Sequence, residues 1–353
     1  MNFSPLSIGS HIARLPIVQG GMGVGVSLSG LAGAVAAAGG VGTISGIHPG
    51  YRAPNFQADP YRANCEAIGE ELARARKIAP GGVIGFNFMT VMNHYDDYVR
   101  EALAQGADFI VSGAGLPTGL AKLAAGAGAA ILPIVSSARA LKLIVKRWLQ
   151  ADRLPDAVVV EGPLAGGHLG FAYDDMVAGT EAPLESCLAD VLDYVHTLEA
   201  AHGVTIPVIA GGGVRTHADT VRLMDLGAAG VQVGTCFVTT AECDAHPAFK
   251  QAYLDARPED VRIIKSPVGL AARAIDGPLL RRADVEGRIP VSHCYQCMGH
   301  CKPAETKYCI SQALIDAVSG HEGLVFCGAG ASELHALSTV PAVISDLLNG
   351  EFA

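Results

Sequence analysis

A histidine follows two glycines in the stretch "AGGH", shortly after an apolar run that is typical of a buried strand. The run "AVVV" covers residues 157–160, and His168 comes behind Gly166 and Gly167. Glycines allow a ligand to approach the backbone closely, and imidazole exchanges protons near neutral pH because its ordinary pKa is about 6.5. We therefore predict that His168 is a catalytic residue that transfers protons. A lone histidine is more often structural, so this prediction depends on the motif around it.

Two further glycine runs follow apolar segments late in the chain. Gly211, Gly212 and Gly213 come directly after "PVIA", and Gly234 and Thr235 come directly after "GVQV". Backbone N–H groups at such turns, close to a helix N-terminus, bind phosphate without needing a charged side chain. Each half alone could be a structural turn. Together they predict a phosphate site.

A third glycine cluster stands near the N-terminus, in "PIVQGGMG". Bare backbone with a thioether beside it can support a flat ring system, and side-chain amides can donate to and accept from the edge of a heteroaromatic ring. A flat ring and a phosphate on one protein are the footprint of flavin mononucleotide (FMN). The residues predicted for the ring are Gly20, Gly21, Met22 and Gly23, with the amides of Asn87 and Gln232. A buried Asn or Gln alone is more often a satisfied structural amide.

Four of the nine cysteines lie within one short segment, "CYQCMGHCKPAETKYC". Cys294, Cys297, Cys301 and Cys309 are separated by two, three and seven residues. Thiolates at this spacing can converge on an iron–sulfur cluster, or on zinc with help from neighbouring histidines. Unligated reduced thiols are the alternative. The odd number and uneven spread of the cysteines argue against a disulfide framework.

Short apolar runs and Ala/Leu-rich stretches alternate along the first two thirds of the chain. Eight candidate strands, each near-continuously apolar, and the helices between them predict a (β/α)8 TIM barrel, an α/β fold, whose active site lies at the carboxyl ends of the strands. A doubly wound open sheet also fits the alternation. The candidate strands are 14–20, 41–45, 82–87, 108–112, 129–135, 157–161, 206–210 and 230–234, and the helices are 28–39, 61–78, 96–105, 117–125, 137–149, 187–201 and 216–226.

The remaining segments are predicted to be additions to this barrel. Residues 1–240 form the FMN-binding barrel, 241–322 a helical and Cys-rich insertion, and 323–353 a strand and helix that return to the barrel. Two longer loops, 46–60 and 171–184, are either pocket walls or ordered surface loops.

Composition excludes several classes of partner. The chain has 353 residues and a formal net charge of −9, and its Lys and Arg residues form no long basic block, so nucleic acid and anionic membranes are not expected as partners. The N-terminal stretch lacks a signal-peptide pattern, and no run reaches roughly 18 apolar residues. We expect a cytoplasmic enzyme acting on a small molecule, with a homo-oligomer compatible with the sequence.

The motifs "PIVQGGMG", "AGGH", "PVIAGGG" and "GVQVGT", in this order, resemble the nitronate monooxygenase family and its relatives, the FMN-dependent enoyl-acyl-carrier-protein reductases. The resemblance covers nearly the whole chain. It implies non-covalent FMN on the barrel, with Gly21, Met22 and Asn87 near the isoalloxazine and Gly212, Gly213, Gly234 and Thr235 around the phosphate. The family more often has an acidic or polar residue where Pro163 and Leu164 stand, which affects the substrate pocket more than the flavin site.

The resemblance implies oxidation of alkyl nitronates with O2, with His168 assisting proton removal or binding the nitro group. Two alternatives stay open. One is a reductase that passes electrons from NAD(P)H or a metal cluster through FMN to an enoyl or other unsaturated substrate. The other is a sensor or assembly subunit in which FMN and the cysteine centre are structural.

Overall fold

The first 240 residues contain a closed barrel of eight parallel strands. The computed structural model describes residues 3–350. The barrel closes in the order β10–β11–β3–β4–β5–β6–β7–β8, and each of the eight predicted strands overlaps one of these, so the open-sheet alternative is wrong. The barrel strands are β3 (Ile17–Gln19), β4 (Val41–Ser45), β5 (Val83–Met89), β6 (Phe109–Gly113), β7 (Ala130–Val135), β8 (Val158–Glu161), β10 (Val208–Gly211) and β11 (Gly230–Val233). A small hairpin, β1 (Leu6–Ile8) with β2 (His11–Ala13), precedes them.

Helices connect the strands on the outside of the barrel. The seven predicted helices are found as α1 (Ser29–Ala38), α2 (Pro60–Ile78), α3 (Tyr95–Ala104), α4 (Leu120–Leu123), α5 (Ala138–Trp148), α7 (Leu184–His202) and α8 (His217–Asp225). The C-terminal helix α13 (Val340–Asn349) packs between α1 and α8 and completes the outer ring. Local sequence signals set where several of them begin. Asp59 accepts from the Arg62 N–H ahead of Pro60, and Thr216 forms a capping box with Asp219.

Alternation along the strands divides their side chains between two apolar layers. Residues such as Val18, Val159 and Ile209 fill the barrel interior, whereas Val158 and Val160 face the surrounding helices. Because side chains alternate in a strand, every second residue toward the carboxyl end also points inward. The last inward-pointing residues therefore meet at the mouth of the barrel.

The segment after the barrel folds back over this mouth. It contains α9 (Thr235–Val238), α10 (Pro247–Leu254), α11 (Pro278–Glu286), α12 (Ile310–Val318) and the strands β12 (Val261–Lys265) and β13 (Ala271–Ile275). Strand β13 pairs on one side with β12 and on the other with β9 (Gly167–His168). The predicted catalytic residue His168 therefore lies on the edge strand of a three-stranded sheet. The loop after β9 holds one more short helix, α6 (Tyr173–Ala178).

A separate apolar cluster lies under this segment. It includes Val24, Leu324 and Cys327 together with buried apolar side chains between residues 243 and 318. The domain boundaries at 240 and 322 stay a prediction. Within residues 3–350, none of the helices combines the length and the apolar character that a membrane span requires.

Candidate functional site

The floor of the main cavity is the ring of inward-pointing residues at the carboxyl ends of the barrel strands. The cavity has a volume of about 240 Å³. Seven strands contribute a residue to its floor, and these are Gly20, Ser45, Asn87, Gly113, Ile134, Glu161 and Gln232. On the eighth strand the corresponding residue is Gly211, which lies between Glu161 and Gln232 in register but outside the cavity lining. Glu161 is the one ionisable side chain in this ring.

The residues predicted for a flat ring come together on one side of the floor. A Cβ on Gly21 would lie 2.4 Å from the Cβ of Asn87, so only glycine allows this approach. The Met22 sulfur lies 3.4 Å from where a Cβ on Gly234 would stand, which joins the loop after β3 to the loop after β11. Gly20 and Gly23 also line the cavity. The structure thus brings Gly20–Gly23, Asn87 and Gln232 to one cavity.

The residues predicted for phosphate lie on the loops after β10 and β11, and Gly234 adjoins Met22. Gly212 and Gly213 have φ values of +97° and +99°, a left-handed conformation that favours glycine, and a Cβ on Gly212 would lie 2.8 Å from the Gly162 carbonyl oxygen. Gly234 and Thr235 begin α9. The three glycines leave bare backbone along this wall of the cavity, and Thr235 adds a hydroxyl group.

The C-terminal return of the chain covers the phosphate side, which the sequence did not indicate. The N–H of Gly328 donates to Thr235 Oγ1 at 3.1 Å, and a Cβ at this position would lie 2.4 Å from the same oxygen. Gly330 packs against Arg215, which lines the cavity and forms an ion pair with Glu333. The signal that could have found this wall is the glycine pair in "CGAG".

His168 lies over the mouth, held by the returning segment. Strand β9 pairs His168 with Ala272, the ring Nε2 lies 2.8 Å from Ser266 Oγ, and the Phe326 ring packs edge-on at 5.1 Å. Gly166 allows this packing because a Cβ there would lie 2.6 Å from the carbonyl carbon of Cys327. Burial lowers the pKa of His168 to about 4, so the ring is neutral at pH 7. This corrects the expectation of an ordinary pKa near 6.5.

Two further ionisable side chains belong to the site, Glu161 in the floor and Arg273 beneath the loop that precedes His168. Burial raises the pKa of Glu161 to about 8, so this carboxyl is protonated at pH 7. The buried Arg273 guanidinium lies beneath the "GPLAGG" loop and donates to the carbonyl oxygens of Pro163 and Ala165. Leu164, at the position where the family more often has a polar residue, is half exposed and packs on Gly213.

A second cavity of about 160 Å³ adjoins the first at His168. The two share Ile47, Met89, His168 and Leu314. Its other apolar walls are Val91, Met92, Val268, Met298 and Ile310. Three methionines in one lining make an adaptable apolar surface.

The polar side chains deep in the second cavity are already paired with one another. His48 Nε2 lies 2.8 Å from Ser311 Oγ, and its Nδ1 lies 3.3 Å from the Asn64 amide nitrogen, which also donates to Tyr98. Gly50 N–H donates to Asn64 Oδ1 and fixes the orientation of the amide. His48 Nδ1 is therefore an acceptor, and the neutral ring donates from Nε2 to Ser311. Burial lowers the pKa of His48 to about 4, in accord with this arrangement.

The two long loops have different roles. Residues 46–60 provide Ile47 and His48 to the second cavity, and are a pocket wall. Residues 171–184 line neither cavity. Their helix α6 packs Met176 against Ala165 and Leu169 on the outside.

The structure does not support the predicted iron–sulfur or zinc site. Within residues 3–350, no group of three or more His, Cys, Asp or Glu side chains is arranged to hold a metal ion. Cys294, Cys297, Cys301 and Cys309 are free thiols near one another, but they face different surroundings. Cys294 is exposed, Cys297 lines the second cavity, and Cys309 caps α12. The pKa of Cys297 is raised to about 11, chiefly by burial, although a hydrogen bond from Ser311 opposes this.

Sequence reasoning also missed residues that carry no motif. Glu161, Arg215, Ser266 and Phe326 all contact or line the site. Ser266 and Phe326 lie about 100 and 160 residues after His168, so only the fold brings them to it.

Comparison with known proteins agrees with this geometry. The model of the family described as nitronate monooxygenase matches residues 5–350. A probable nitronate monooxygenase of Bacillus subtilis (strain 168) is 34% identical over 127 residues, which are 36% of this chain and 34% of the relative. One from Staphylococcus aureus (strain Newman) is 32% identical over 136 residues, 38% of this chain and 36% of that protein. The alignments thus span about a third of the length of these curated relatives.

Solved structures show the same fold. FabK from Thermotoga maritima has a TM-score of 0.70 at 24% identity, covering 95% of this chain and 92% of its own. The nitroalkane oxidase from Streptomyces ansochromogenes has a TM-score of 0.70 at 22% identity, with 95% of each chain covered.

Proposed function

The chain belongs to the nitronate monooxygenase family, and from that premise we propose that it is an FMN-dependent oxidoreductase that oxidises alkyl nitronates with O2. The observation that carries the proposal is the glycine-lined cavity over the barrel mouth, with one neutral histidine in its wall and an apolar cavity beyond that histidine. A flat cofactor, a small anionic group and an alkyl chain each have a matching surface there.

The residues present fit FMN. The cradle of Gly20–Gly23 with Asn87 and Gln232 would hold the isoalloxazine, since a Cβ at Gly21 would displace Asn87. The backbone N–H groups at Gly212, Gly213, Gly234 and Thr235 would hold the phosphate. When bound, FMN supplies an acceptor for the electrons of a stabilised carbanion such as a nitronate.

His168 would bind and orient the nitro group. Ser266 Oγ accepts from the Val268 N–H at 3.4 Å and lies 2.8 Å from His168 Nε2, so its hydroxyl can donate to Nε2. The neutral ring then carries its proton on Nδ1, which has no hydrogen-bond partner among residues 3–350, and this N–H is free to donate to a nitronate oxygen. The opposite tautomer would place a base on Nδ1 and suit proton removal from a neutral nitroalkane.

The second cavity would receive the alkyl part of the substrate. The buried polar side chains His48, Asn64 and Ser311 are already paired with one another, so they are not available to bind a polar tail. Its methionine and aliphatic walls gain by covering methylene groups. The reacting carbon would then lie at the junction of the cavities, beside His168.

Two measurements test the proposal. We expect the purified protein to be yellow and to release FMN on denaturation, and we expect O2 consumption when propyl-2-nitronate is added to it. A bound pigment other than FMN, or none, would overturn the cofactor assignment. Bleaching of the flavin by NAD(P)H with no nitronate-dependent O2 consumption would favour the reductase alternative, whose unsaturated acyl substrate could occupy the same apolar cavity.

A further inference from the structure

Glu161 occupies an unusual place for a carboxyl group. It ends strand β8, two residues after Val159 of the barrel interior, so its side chain points inward at the floor of the main cavity. Its register partner on β10 is Gly211, which is bare backbone, and on β7 the aliphatic Ile134 pairs with Val159, two residues before it. Neither neighbour offers a side-chain hydrogen bond.

The carboxyl group of Glu161 has no partner in the part of the chain from residue 3 to residue 350. No hydrogen bond or ion pair to it is found, and burial is the sole cause of its pKa shift, which means that no cation stands close enough to oppose that burial. Its accessible surface faces the cavity, because the residue lines that space. A buried polar group without a protein partner has to be satisfied by what fills the cavity.

We propose that Glu161 binds FMN as a carboxylic acid, donating its O–H to an acceptor atom of the cofactor, so that FMN binds only to the protonated form of this side chain. The inference rests on the proposed function, because it requires FMN in this cavity. An ionised carboxylate at this place would have no hydrogen bond or ion pair from residues 3–350 to stabilise its charge and would repel the phosphate bound nearby.

The direction of the pH dependence follows from linkage. In the free protein the pKa of Glu161 is about 8, so at pH 7 the acid is already protonated and binding needs no proton. Above pH 8 binding has to take up a proton, and the FMN affinity falls, approaching tenfold for each pH unit. From pH 7 to pH 9.5 the Kd is therefore expected to rise roughly 30-fold.

Burial moves the pKa of three other side chains that line the cavity away from this range. The pKa of His168 is lowered to about 4, that of Cys327 is raised to about 12, and that of Tyr253 is raised well above its ordinary value, all chiefly by burial. Arg215 is paired with Glu333, and Arg273 is held by loop carbonyl groups. The second ionisation of a phosphate monoester lies near pH 6, outside the window.

The test is the Kd of FMN for the apoprotein at pH 7, 8, 9 and 9.5, measured by quenching of flavin fluorescence. We expect the roughly 30-fold rise in the wild type and a flat profile in Glu161→Gln, which keeps an N–H donor without a titrating proton. The matched control is Glu66→Gln on the surface of α2, where the carboxylate pairs with Arg62, and it should follow the wild type. A flat wild-type profile, or the same slope in Glu161→Gln as in the wild type, would overturn the inference.

A second measurement needs no variant and remains decisive if Glu161→Gln does not fold. In weakly buffered solution at pH 8.5, FMN binding to the wild type should take up roughly 0.8 proton per FMN, and at pH 6.8 about none. Binding without proton uptake at pH 8.5 would refute the role of Glu161 and leave the cofactor assignment intact. Failure of FMN to bind at any pH would instead refute the proposed function.

Discussion

Two histidines, His48 and His168, should contribute a loss of stability in mild acid, and protonation of Glu161, whose pKa is raised to about 8, should act in the opposite direction. His48 and His168 both have their pKa lowered from 6.5 to about 4 by burial. The unfolded chain takes up a proton at each of them as the pH falls through 6.5, whereas the folded chain does so only near pH 4. Stability is therefore fully present above pH 6.5 and is lost between pH 6.5 and pH 4. His48 has a further obstacle to protonation, because a proton on Nδ1 would face the Asn64 amide donor.

The size of the effect follows from the shifts. One pKa unit is equivalent to about 1.4 kcal/mol. At pH 5, which is about 1.5 units below the unfolded pKa of 6.5, each histidine lowers the free energy of unfolding by about 2 kcal/mol. The two together contribute a loss of about 4 kcal/mol between pH 7 and pH 5. This is a large share of the 5–15 kcal/mol that is typical of whole proteins.

The assay is denaturant unfolding of the apoprotein at pH 7 and pH 5, with His48→Gln and His168→Gln alone and combined. Glutamine keeps hydrogen-bonding groups toward Ser311 and Ser266 but does not titrate. We expect the double variant to lose about 4 kcal/mol less than the wild type between the two pH values, and each single variant about half of that. The exposed His202→Gln is the control and should behave as the wild type. Equal losses in the wild type and the double variant would refute the assignment of these shifts to burial.

Three further results are expected. His168→Ala should retain FMN but lose turnover with propyl-2-nitronate by on the order of 10²-fold, with little change in Tm, and full activity would remove the ring from the reaction. Gly21→Ala should weaken FMN binding by roughly 5- to 150-fold, since overpacking at this approach costs about 1–3 kcal/mol; Gly119→Ala, where a Cβ would meet nothing within 4 Å, should leave it unchanged. Iodoacetamide should modify the exposed Cys294 well before Cys297, because the burial of Cys297 and its pKa of about 11 disfavour the thiolate. Protection of both thiols in the native protein, with iron or zinc bound, would contradict this and restore the metal hypothesis.

The barrel was predictable because each strand is a short apolar run closed by glycine. Strands of a parallel sheet are buried on both faces, so short continuous apolar runs such as 157–161 and 230–234 are typical of them. One boundary moved for a reason of backbone chemistry. The first strand was predicted from residue 14 but begins at Ile17, directly after Pro16, which lacks an N–H for the ladder. The glycines of the cavity were predictable for the same reason, since they stand where strands end.

The walls of the cavity were not predictable. Phe326–Gly330 reach the site only through the returning segment, and Ser266 reaches His168 only because β13 pairs with β9. Such contacts join residues far apart in sequence and leave no local pattern. The clustered cysteines show the converse error. Spacing suggested four converging ligands, but in the folded segment the four thiols face different surroundings, since Cys297 turns into the second cavity while Cys294 stays at the surface.

The charge state of the site is the property that sequence reasoning is least able to reach, and it bears directly on function. From ordinary pKa values Glu161 would be an anion at pH 7 and His168 partly a cation. Burial reverses the tendency of both, so each is neutral. A phosphate and a nitronate are both anions, and a cavity that binds them with backbone N–H groups gains from carrying no negative charge of its own. A neutral His168 can still donate to a nitronate oxygen. The same low polarity that shifts the two pKa values thus keeps a negative charge out of the cavity that we propose for two anionic groups.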